Sequence, residues 1–320
     1  EITTRLVGSE MCIRDRYVDS VQVFNSTTDK VLPDENRMIN GFTDYEELTR
    51  TRRLIMRSYK LPGNRLRLLH TNENRGAVTI DEERDYHFRY VLEDNFGNRR
   101  TYQFTVKGKR QDIPEYKPEA NEMLYWNRTN VIQKPGIELV VPRYYVYEDV
   151  PLRTDMRGDS SRIAFDYILD AGRTPIHSYC DLSIGLRHMP VADTTKYYIV
   201  QKAGKWRSSM GGKYANGWIK TRVRSLGTFS VDVDTIAPQI TPIGQGGWRT
   251  SRNIRFRIKD MESGIGSYKV YIDGKFVLFG LKKGILVIQD PEKVKKGVPH
   301  KLEVTVTDQC GNMARKEYKF

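Results

Sequence analysis

The histidine and aspartate side chains of residues 177–188 are the first in the sequence that could do chemistry. His177 and Asp181 form an H-x-x-x-D pattern, and His188 supplies a second imidazole. Imidazole and carboxylate groups are ligands that zinc accepts. However, residues 182–186 alternate like a strand, which sends neighbouring side chains to opposite faces. We therefore predict packing or surface roles for these residues, and neither a metal site nor a cofactor.

The other motifs of common enzymes are absent from the sequence. No H-x-H, H-E-x-x-H, G-x-S-x-G or P-loop pattern occurs, and Cys12, Cys180 and Cys310 are too far apart for a C-x-x-C pair. No stretch reaches the length of apolar sequence that spans a membrane. We therefore expect no catalytic residue, no disulfide framework and no membrane span within these residues.

A second set of side chains could bind a ligand. Trp206 and Trp218 flank a glycine-rich segment that we interpret as a loop carrying Lys213, and Lys220 and Arg222 follow at two-residue steps. An indole ring can stack on a sugar while the cations hold its carboxylates. Burial in a core is the favoured interpretation of either tryptophan, because large aromatic side chains usually fill sandwich interiors. These five residues are our candidate binding residues.

A basic helix offers another candidate surface. Thr43 and Glu46 form a capping box, which predicts a helix over residues 44–59. The face away from its apolar residues carries Arg50, Arg53 and Arg57. With 53 Lys plus Arg against 40 Asp plus Glu, the chain has a net charge of +13, which favours anionic partners. A solvated face is the favoured interpretation of this helix, contact with an anionic polymer is the alternative, and nucleic acid ranks below an envelope polymer as its partner.

The spacing D-x-x-G-N occurs twice, at Asp94–Asn98 and at Asp308–Asn312. In such a turn the Asp accepts backbone N–H groups, and the Gly adopts a left-handed conformation without steric strain. Alternating residues flank both turns, over 87–106 and 300–320. We therefore predict two copies of one hairpin and a repeated domain type.

The alternation of apolar and polar residues predicts an all-β fold of tandem immunoglobulin-like β-sandwich domains, with one inserted helix in the first. The predicted units are a truncated sandwich at 17–108, a linker at 109–122, a sandwich at 123–234 and an Ig-like sandwich at 235–320.

Residues 6–16, LVGSEMCIRDR, have no such period and resemble translated sequencing-adaptor DNA. We predict that residues 1–16 are an artefact.

Three longer stretches, at 38–69, 136–150 and 224–242, resemble the region downstream of the catalytic domain in envelope-exported zinc endopeptidases of the lysostaphin (LytM-like) family. In that family a separate, more N-terminal domain holds zinc with H-x-x-x-D and H-x-H motifs and cleaves peptidoglycan cross-links. Because no H-x-H occurs here, His177 and Asp181 are not carried over as ligands. The resemblance implies a periplasmic or envelope location, a signal peptide outside these residues, and an upstream catalytic domain as partner.

Two functional hypotheses follow from these observations. The leading one is a non-catalytic accessory or targeting region of a peptidoglycan-cleaving zinc metallopeptidase. The alternative is a free-standing envelope binding protein, glycan-binding or adhesin-like, built of Ig-like domains with contacts on their loops. Peptidoglycan or another anionic envelope polymer is the expected partner in both.

Overall fold

The computed structural model describes residues 11–27, 30–112, 114, 119–159, 161–170 and 172–320. Within these ranges nearly all regular structure is β, arranged in five antiparallel sheets with few helices. The predicted all-β class with sandwich domains is therefore confirmed. None of the helices in the described ranges is long and apolar enough to cross a membrane.

The first five strands form one sheet in the order β3-β2-β1-β4-β5. They are β1 (Met11–Val18), β2 (Val21–Thr27), β3 (Leu69–Thr71), β4 (Asp85–Asp94) and β5 (Arg99–Lys107). A 3-10 helix (Asn36–Gly41) and α1 (Tyr45–Thr51) lie between β2 and β3. Two small clusters are buried here, one around Phe24 and Phe42 and one around Val18 and Tyr86.

Residues 11–16 lie inside β1, the central strand of this sheet, which pairs with both β2 and β4. Asp15 is buried and accepts hydrogen bonds from Gln22 (2.9 Å) and Asn25 (2.6 Å) through its Oδ1 atom. Residues 1–10 are outside the described residues. The origin of residues 1–16 in adaptor DNA stays a prediction.

The helix α1 is shorter than predicted. Asp44 is its N-cap, with its carboxylate accepting from the backbone N of Glu47 at 3.0 Å, so the predicted cap at Thr43 is one residue too early. Arg52 ends the helix in a left-handed conformation with φ of 64°. The chain then turns back, and Thr43 forms a bridge with Met56. The prediction that the helix continues to residue 59 is therefore wrong.

The middle region is a sandwich of two sheets. A six-stranded sheet has the order β13-β12-β16-β10-β9-β6, and a five-stranded sheet has the order β14-β15-β11-β8-β7. The strands are β6 (Glu122–Leu124), β7 (Asn130–Lys134), β8 (Ile137–Val141), β9 (Val150–Arg157), β10 (Asp166–Asp170), β11 (Cys180–Gly185), β12 (Tyr197–Ala203), β13 (Trp206–Gly211), β14 (Lys213–Ala215), β15 (Trp218–Val223) and β16 (Gly227–Val233). Alternate residues of both sheets, including Leu182, Ile219 and Phe229, form one buried core.

The C-terminal region is a second sandwich, with sheets β17-β18-β22-β21 and β20-β19-β23-β24. Its elements are β17 (Gln239–Ile243), α2 (Trp248–Ser251), β18 (Arg255–Lys259), β19 (Ile265–Ile272), β20 (Lys275–Phe276), β21 (Phe279–Lys282), β22 (Ile285–Ile288), β23 (Lys301–Asp308) and β24 (Met313–Lys319). Phe256, Leu286 and Val304 are fully buried between the two sheets. Trp248 of α2 packs on Phe256 with ring centroids 5.0 Å apart.

The repeated hairpin is present in both places that the sequence indicates. Asp94 joins β4 to β5, and its Oδ1 accepts from the backbone N of Phe96 and of Asn98, both at 2.9 Å, while Oδ2 accepts from Asn98 Nδ2 at 2.8 Å. Asp308 joins β23 to β24 and accepts from the equivalent atoms of Cys310 and Asn312 at 2.8, 2.8 and 2.7 Å. The identical spacing thus produces the same set of hydrogen bonds.

Candidate functional site: a basic and aromatic face of the middle sandwich

The side chains of strand β15 point alternately into the core and toward solvent. Ile219 and Val223 are buried in the core, so Trp218, Lys220 and Arg222 point to the outer face of the five-stranded sheet. Two of these three side chains, Lys220 and Arg222, are exposed, and Trp218 is half-buried. The alternation predicted from the sequence therefore places an indole and two cations in one row.

Lys213 joins this row from the neighbouring strand. In the β14–β15 ladder it lies directly opposite Lys220, and directly paired residues share a face. Within the described part of the chain, neither lysine has a carboxylate at ion-pair distance. Two like charges held in this position repel each other and lower the stability of the sheet.

The ring of Trp218 lies across the adjacent strand β11 at Gly185, its partner in the ladder. Two of its ring carbons are 3.6 Å from the position that a Cβ atom would take at Gly185. The indole therefore lies over Gly185, at a distance where a Cβ atom would just be in van der Waals contact with it, and it is neither in the core nor fully free. A ring held in this way is a rigid platform for stacking.

Two arginines converge on Tyr179 at the other end of the row. The guanidinium carbon of Arg222 is 5.6 Å from the centre of the Tyr179 ring, and that of Arg224 is 4.5 Å away. These cation–π contacts restrain both side chains without neutralising their charge. Sequence reasoning missed Tyr179 and Arg224, although Arg224 continues the two-residue step from Arg222.

We call this surface the Trp218 face; it consists of Trp218, Lys213, Lys220, Arg222, Arg224 and Tyr179. Two acidic residues also point outward from this sheet. Asp181 lies opposite Arg222, and Glu138 lies opposite Ser183, one strand beyond Lys220. No ion pair within 4 Å joins either acid to these cations in the described residues. The face therefore keeps a net positive charge.

Trp206 lies apart from this face. It is in β13, the edge strand of the six-stranded sheet, and its side chain is 81% exposed. The segment after it is not the predicted glycine-rich loop, because residues 206–211 and 213–215 are both strands. Gly211 and Gly212 have φ of 64° and 145°, and here the chain passes from one sheet to the other. The predicted grouping of Trp206 with Trp218 around one loop is therefore wrong.

The arginines of the predicted basic helix are also placed elsewhere. Arg50 and Arg53 both pair with Glu47 of α1. Arg57 lies beyond the helix and donates from Nε to the Thr43 carbonyl at 3.1 Å and from Nη1 to the Tyr59 hydroxyl at 3.0 Å. These three cations have partners within the protein and do not share one helical face.

His177 is part of the contact between the first and middle regions. The Tyr147 hydroxyl donates to the Arg37 carbonyl at 2.8 Å, so His177 Nδ1, 3.1 Å from the same hydroxyl, is the donor to it. Burial, together with the charges of Arg65 and Arg37, lowers the pKa of His177. Asp181, by contrast, points to solvent on the Trp218 face. The structure does not bring the H-x-x-x-D pair and His188 together.

The one grouping among the described residues that could hold a metal ion is Asp234, Asp260 and Asp308. Their carboxylate oxygens lie within 4.8 Å of one another, where the middle and C-terminal sandwiches meet. Carboxylate oxygens are ligands of calcium. Sequence reasoning missed this group because its members come from the end of β18, the end of β23 and the link between the sandwiches.

Hydrogen bonds from the chain already engage most of these oxygens. Asp234 Oδ2 accepts from the N and Oγ of Ser263 at 3.0 and 2.5 Å, and Asn312 Nδ2 donates to the Asp234 carbonyl at 3.0 Å. Beside them, Cys310 packs on Tyr198 and Val200 of the middle sandwich. The carboxylates therefore link the two sandwiches as hydrogen-bond acceptors.

A small cavity of about 280 Å³ opens at one end of the middle sandwich. Strands β9 and β10 and the β7–β8 turn line it, with Met156, Tyr167 and Ile137 among the walls. Lys134 at its rim forms an ion pair with Glu122, and the Tyr167 hydroxyl donates to the Pro135 carbonyl at 3.2 Å. Its polar groups are thus engaged by the protein itself.

Comparison with known proteins gives one family match. Residues 121–234, which contain the whole Trp218 face, match the Zu5-like domain. No curated protein matches the chain.

Solved structures that match the chain include a Ca²⁺-stabilised adhesin with which an Antarctic bacterium binds ice. It is 9% identical, and the alignment covers 98% of this chain and 89% of that one with a TM-score of 0.19. SGBP-B of the Bacteroides ovatus mixed-linkage glucan utilization locus, solved with a mixed-linkage heptasaccharide, is 11% identical over 96% of this chain and 58% of its own, with a TM-score of 0.17. Scores this low carry no functional argument.

Proposed function

We propose that this protein is a non-catalytic binding protein of the bacterial cell envelope, and that it attaches to an envelope polymer through the Trp218 face. Its sandwiches are rigid scaffolds, and their surfaces supply the contacts. The alternative hypothesis from the sequence, an envelope binding protein, is thus the one that the geometry supports best. The proposed location is outside the cytoplasm, in the envelope.

The observation that carries this proposal is the set of cations on the Trp218 face, none of which has an ion-pair partner among the residues that the structure describes. On some other exposed sheet surfaces of the same chain, cations have acidic partners: Arg207 pairs with Asp232, and Lys301 pairs with Glu317 at 3.0 Å. The Trp218 face combines four cations with an indole that lies over Gly185 at one end of the row. A ligand that supplies negative charge and a flat surface would complete these contacts.

Co-sedimentation with insoluble bacterial cell-wall material tests the proposal. The 320-residue protein should pellet with the walls, and a Lys220→Glu/Arg222→Glu variant should stay in the supernatant. The matched control is Arg255→Glu/Arg257→Glu, which makes the same charge change on exposed positions of β18. If the wild-type protein does not pellet with any wall preparation, or if both variants lose binding equally, the proposed site is wrong.

The resemblance of residues 38–69, 136–150 and 224–242 to the tail of lysostaphin-type peptidases supports a second candidate. In that case the same wall-binding surface would target an upstream zinc peptidase domain to its peptidoglycan substrate. The sequence of the complete gene tests it. An upstream domain with both H-x-x-x-D and H-x-H motifs would support the accessory role, and a complete gene without them would remove it while leaving wall binding in place.

A further inference from the structure

We infer that the ligand of the Trp218 face is a linear polyanion that lies lengthwise along β15, with one of its rings stacked on Trp218. This inference rests on the proposed function and names the chemistry of its ligand: a polymer with carboxylate or phosphate groups at regular intervals. Three features of the face carry it, namely the spacing of the cations, the opposed lysines and the position of the indole.

The cations are spaced in a regular row. Trp218, Lys220 and Arg222 follow one another at two-residue steps on β15, and side chains at this interval on a strand are roughly 7 Å apart, with Arg224 just past the end of the strand. The row from Trp218 to Arg222 is therefore roughly 14 Å long, and Arg224 extends it. A compact monovalent anion would meet only one or two of these groups. An extended chain with repeated charges can meet all of them.

Lys213 widens the row at its centre. Because it lies directly opposite Lys220, two lysine side chains project from neighbouring points on the same face of the sheet. Repulsion between like charges in this position is unfavourable, and an anionic group placed between the two lysines would relieve it. The repulsion that destabilises the free protein is thus removed when the ligand binds, and its removal strengthens binding.

The chain contains a useful comparison in β18. Arg255, Arg257 and Lys259 also alternate with core residues and are exposed. Their neighbours across the ladders are uncharged, among them Thr241 and Val287, and no aromatic side chain is in these paired positions. This row has charge alone, without opposed lysines or a stacking surface.

A charged polymer with sugar or polyol repeats fits the face better than a single-stranded nucleic acid does. Binding of single strands uses several aromatic rings on which successive bases stack. The Trp218 face has only two rings, Trp218 and Tyr179, and Arg222 and Arg224 already lie over Tyr179. Contacts along the rest of the row are therefore with charges.

The test measures binding of the 320-residue protein to defined oligomers by calorimetry. The probes are a galacturonate hexamer, its methyl ester, an inorganic polyphosphate of similar length, and oligo(dT). The galacturonate or the polyphosphate should bind at least tenfold more tightly than the uncharged ester, and the stronger of the two identifies the acid group. With three charges engaged, raising salt from about 50 to about 200 mM should weaken binding about 20-fold.

Two pairs of variants locate the site. Lys220→Gln/Arg222→Gln should lose at least tenfold in affinity, whereas Arg255→Gln/Arg257→Gln should bind like the wild type. Trp218→Ala should weaken binding of the galacturonate hexamer, whose rings can stack, more than binding of polyphosphate, which has none. Trp206→Ala, which removes an equally large ring from the other sheet, should change neither. Thermal unfolding of each variant shows whether it is folded, and the glutamine variants are conservative at exposed positions.

The outcomes separate this inference from the proposed function. If the chain pellets with cell walls but binds the ester as tightly as the acid, the inference of a polyanionic ligand is wrong, whereas the proposal of wall binding is unaffected. If the chain binds neither walls nor oligomers, the proposed function falls as well. Tighter binding of oligo(dT) than of either acidic polymer would replace the inferred ligand with nucleic acid.

Discussion

Asp94 and Asp308 accept the same three hydrogen bonds at equivalent turns, yet their pKa values shift in opposite directions. At Asp94 the hydrogen bonds from Asn98 lower the pKa of an exposed carboxyl. At Asp308 burial raises the pKa, and the nearby charge of Asp234 adds to this, outweighing the hydrogen bonds from Asn312. The local turn is the same in both copies. Its electrostatic behaviour depends on whether another sandwich covers it.

The first prediction concerns pH and the junction of the last two sandwiches. Since the folded-state pKa of Asp308 is above its unfolded value, the folded protein binds this proton more tightly, and stability falls as pH rises through that window. We expect denaturant unfolding of the C-terminal sandwich to show this decline just above the ordinary pKa of an aspartate. In Asp308→Asn the decline should be smaller, although overall stability also falls because Oδ2 no longer accepts from Asn312. An unchanged pH slope in this variant would contradict the prediction.

His300 should be a cation in the folded protein at neutral pH. Its Nδ1 is 2.6 Å from Asp273 Oδ2 and its Nε2 is 2.7 Å from the Lys295 carbonyl, and both partners are acceptors, so both ring nitrogens must carry a proton. Burial and the charge of Arg249 oppose the cation, but the bonds to Asp273 and Lys295 raise the pKa of His300 overall.

The sign of the resulting pH effect is opposite to that of an ordinary paired carboxylate. Stabilisation by His300 is complete below its unfolded pKa, near 6.5, and is lost as pH rises through the higher folded-state value. We expect an NMR titration of the His300 ring to give a pKa above that of an exposed histidine. Thermal stability should decline over the same range, and less so in His300→Gln. A ring that titrates at or below the ordinary value would refute the double-donor assignment.

Gly41 controls the contact between the first and middle regions. A Cβ atom there would lie 2.6 and 2.8 Å from ring carbons of Tyr147, whose hydroxyl is fixed by Arg37 and His177. Because the ring cannot move without breaking these bonds, Gly41→Ala should destabilise the protein by about 1–3 kcal/mol. The control is Gly246→Ala, where nothing lies within 4 Å of the new atom, and which should be near neutral. Equal unfolding midpoints for the two variants would contradict this account.

The local sequence pattern correctly predicts the strands and the repeated turn. It does not predict features that depend on contacts between residues far apart in the sequence. The two-residue alternation from Trp218 to Arg222 correctly places these side chains on one face. By contrast, the capping signal at residues 43–46 does not reveal that Arg52 turns left-handed and ends the helix. Helix length here depends on the pairing of Thr43 with Met56, which no local pattern shows.

The candidate site also combines residues that the sequence predicts with residues that only the tertiary structure brings together. Lys213 is identified from the sequence, but it lies opposite Lys220 only because residues 213–215 form β14. The glycines at 211 and 212 favour a loop there, so the sequence does not predict this strand. Tyr179 reaches the face only because β11 pairs with β15. Asp234, Asp260 and Asp308 are far apart along the chain, and only the contact between two sandwiches brings them together. Such groupings depend on tertiary structure and have no signature in spacing.

The two copies of the repeated turn also predict a difference in thiol reactivity. Cys310 is buried against Tyr198 and Val200, and burial raises its pKa to about 11, whereas Phe96 at the equivalent position is 87% exposed. A cysteine introduced by Phe96→Cys should therefore react with maleimide more than about 100-fold faster than Cys310, because the thiolate is the reactive form. Peptide mapping by mass spectrometry reads each site separately, and Cys180, whose pKa burial raises to about 12, is an internal control for a buried thiol.

Asn312→Ala, which removes the bond to the Asp234 carbonyl, should make Cys310 more reactive and leave the introduced cysteine unchanged. Rapid labelling of Cys310 in the wild-type chain would show that the two sandwiches are not joined through this turn in solution.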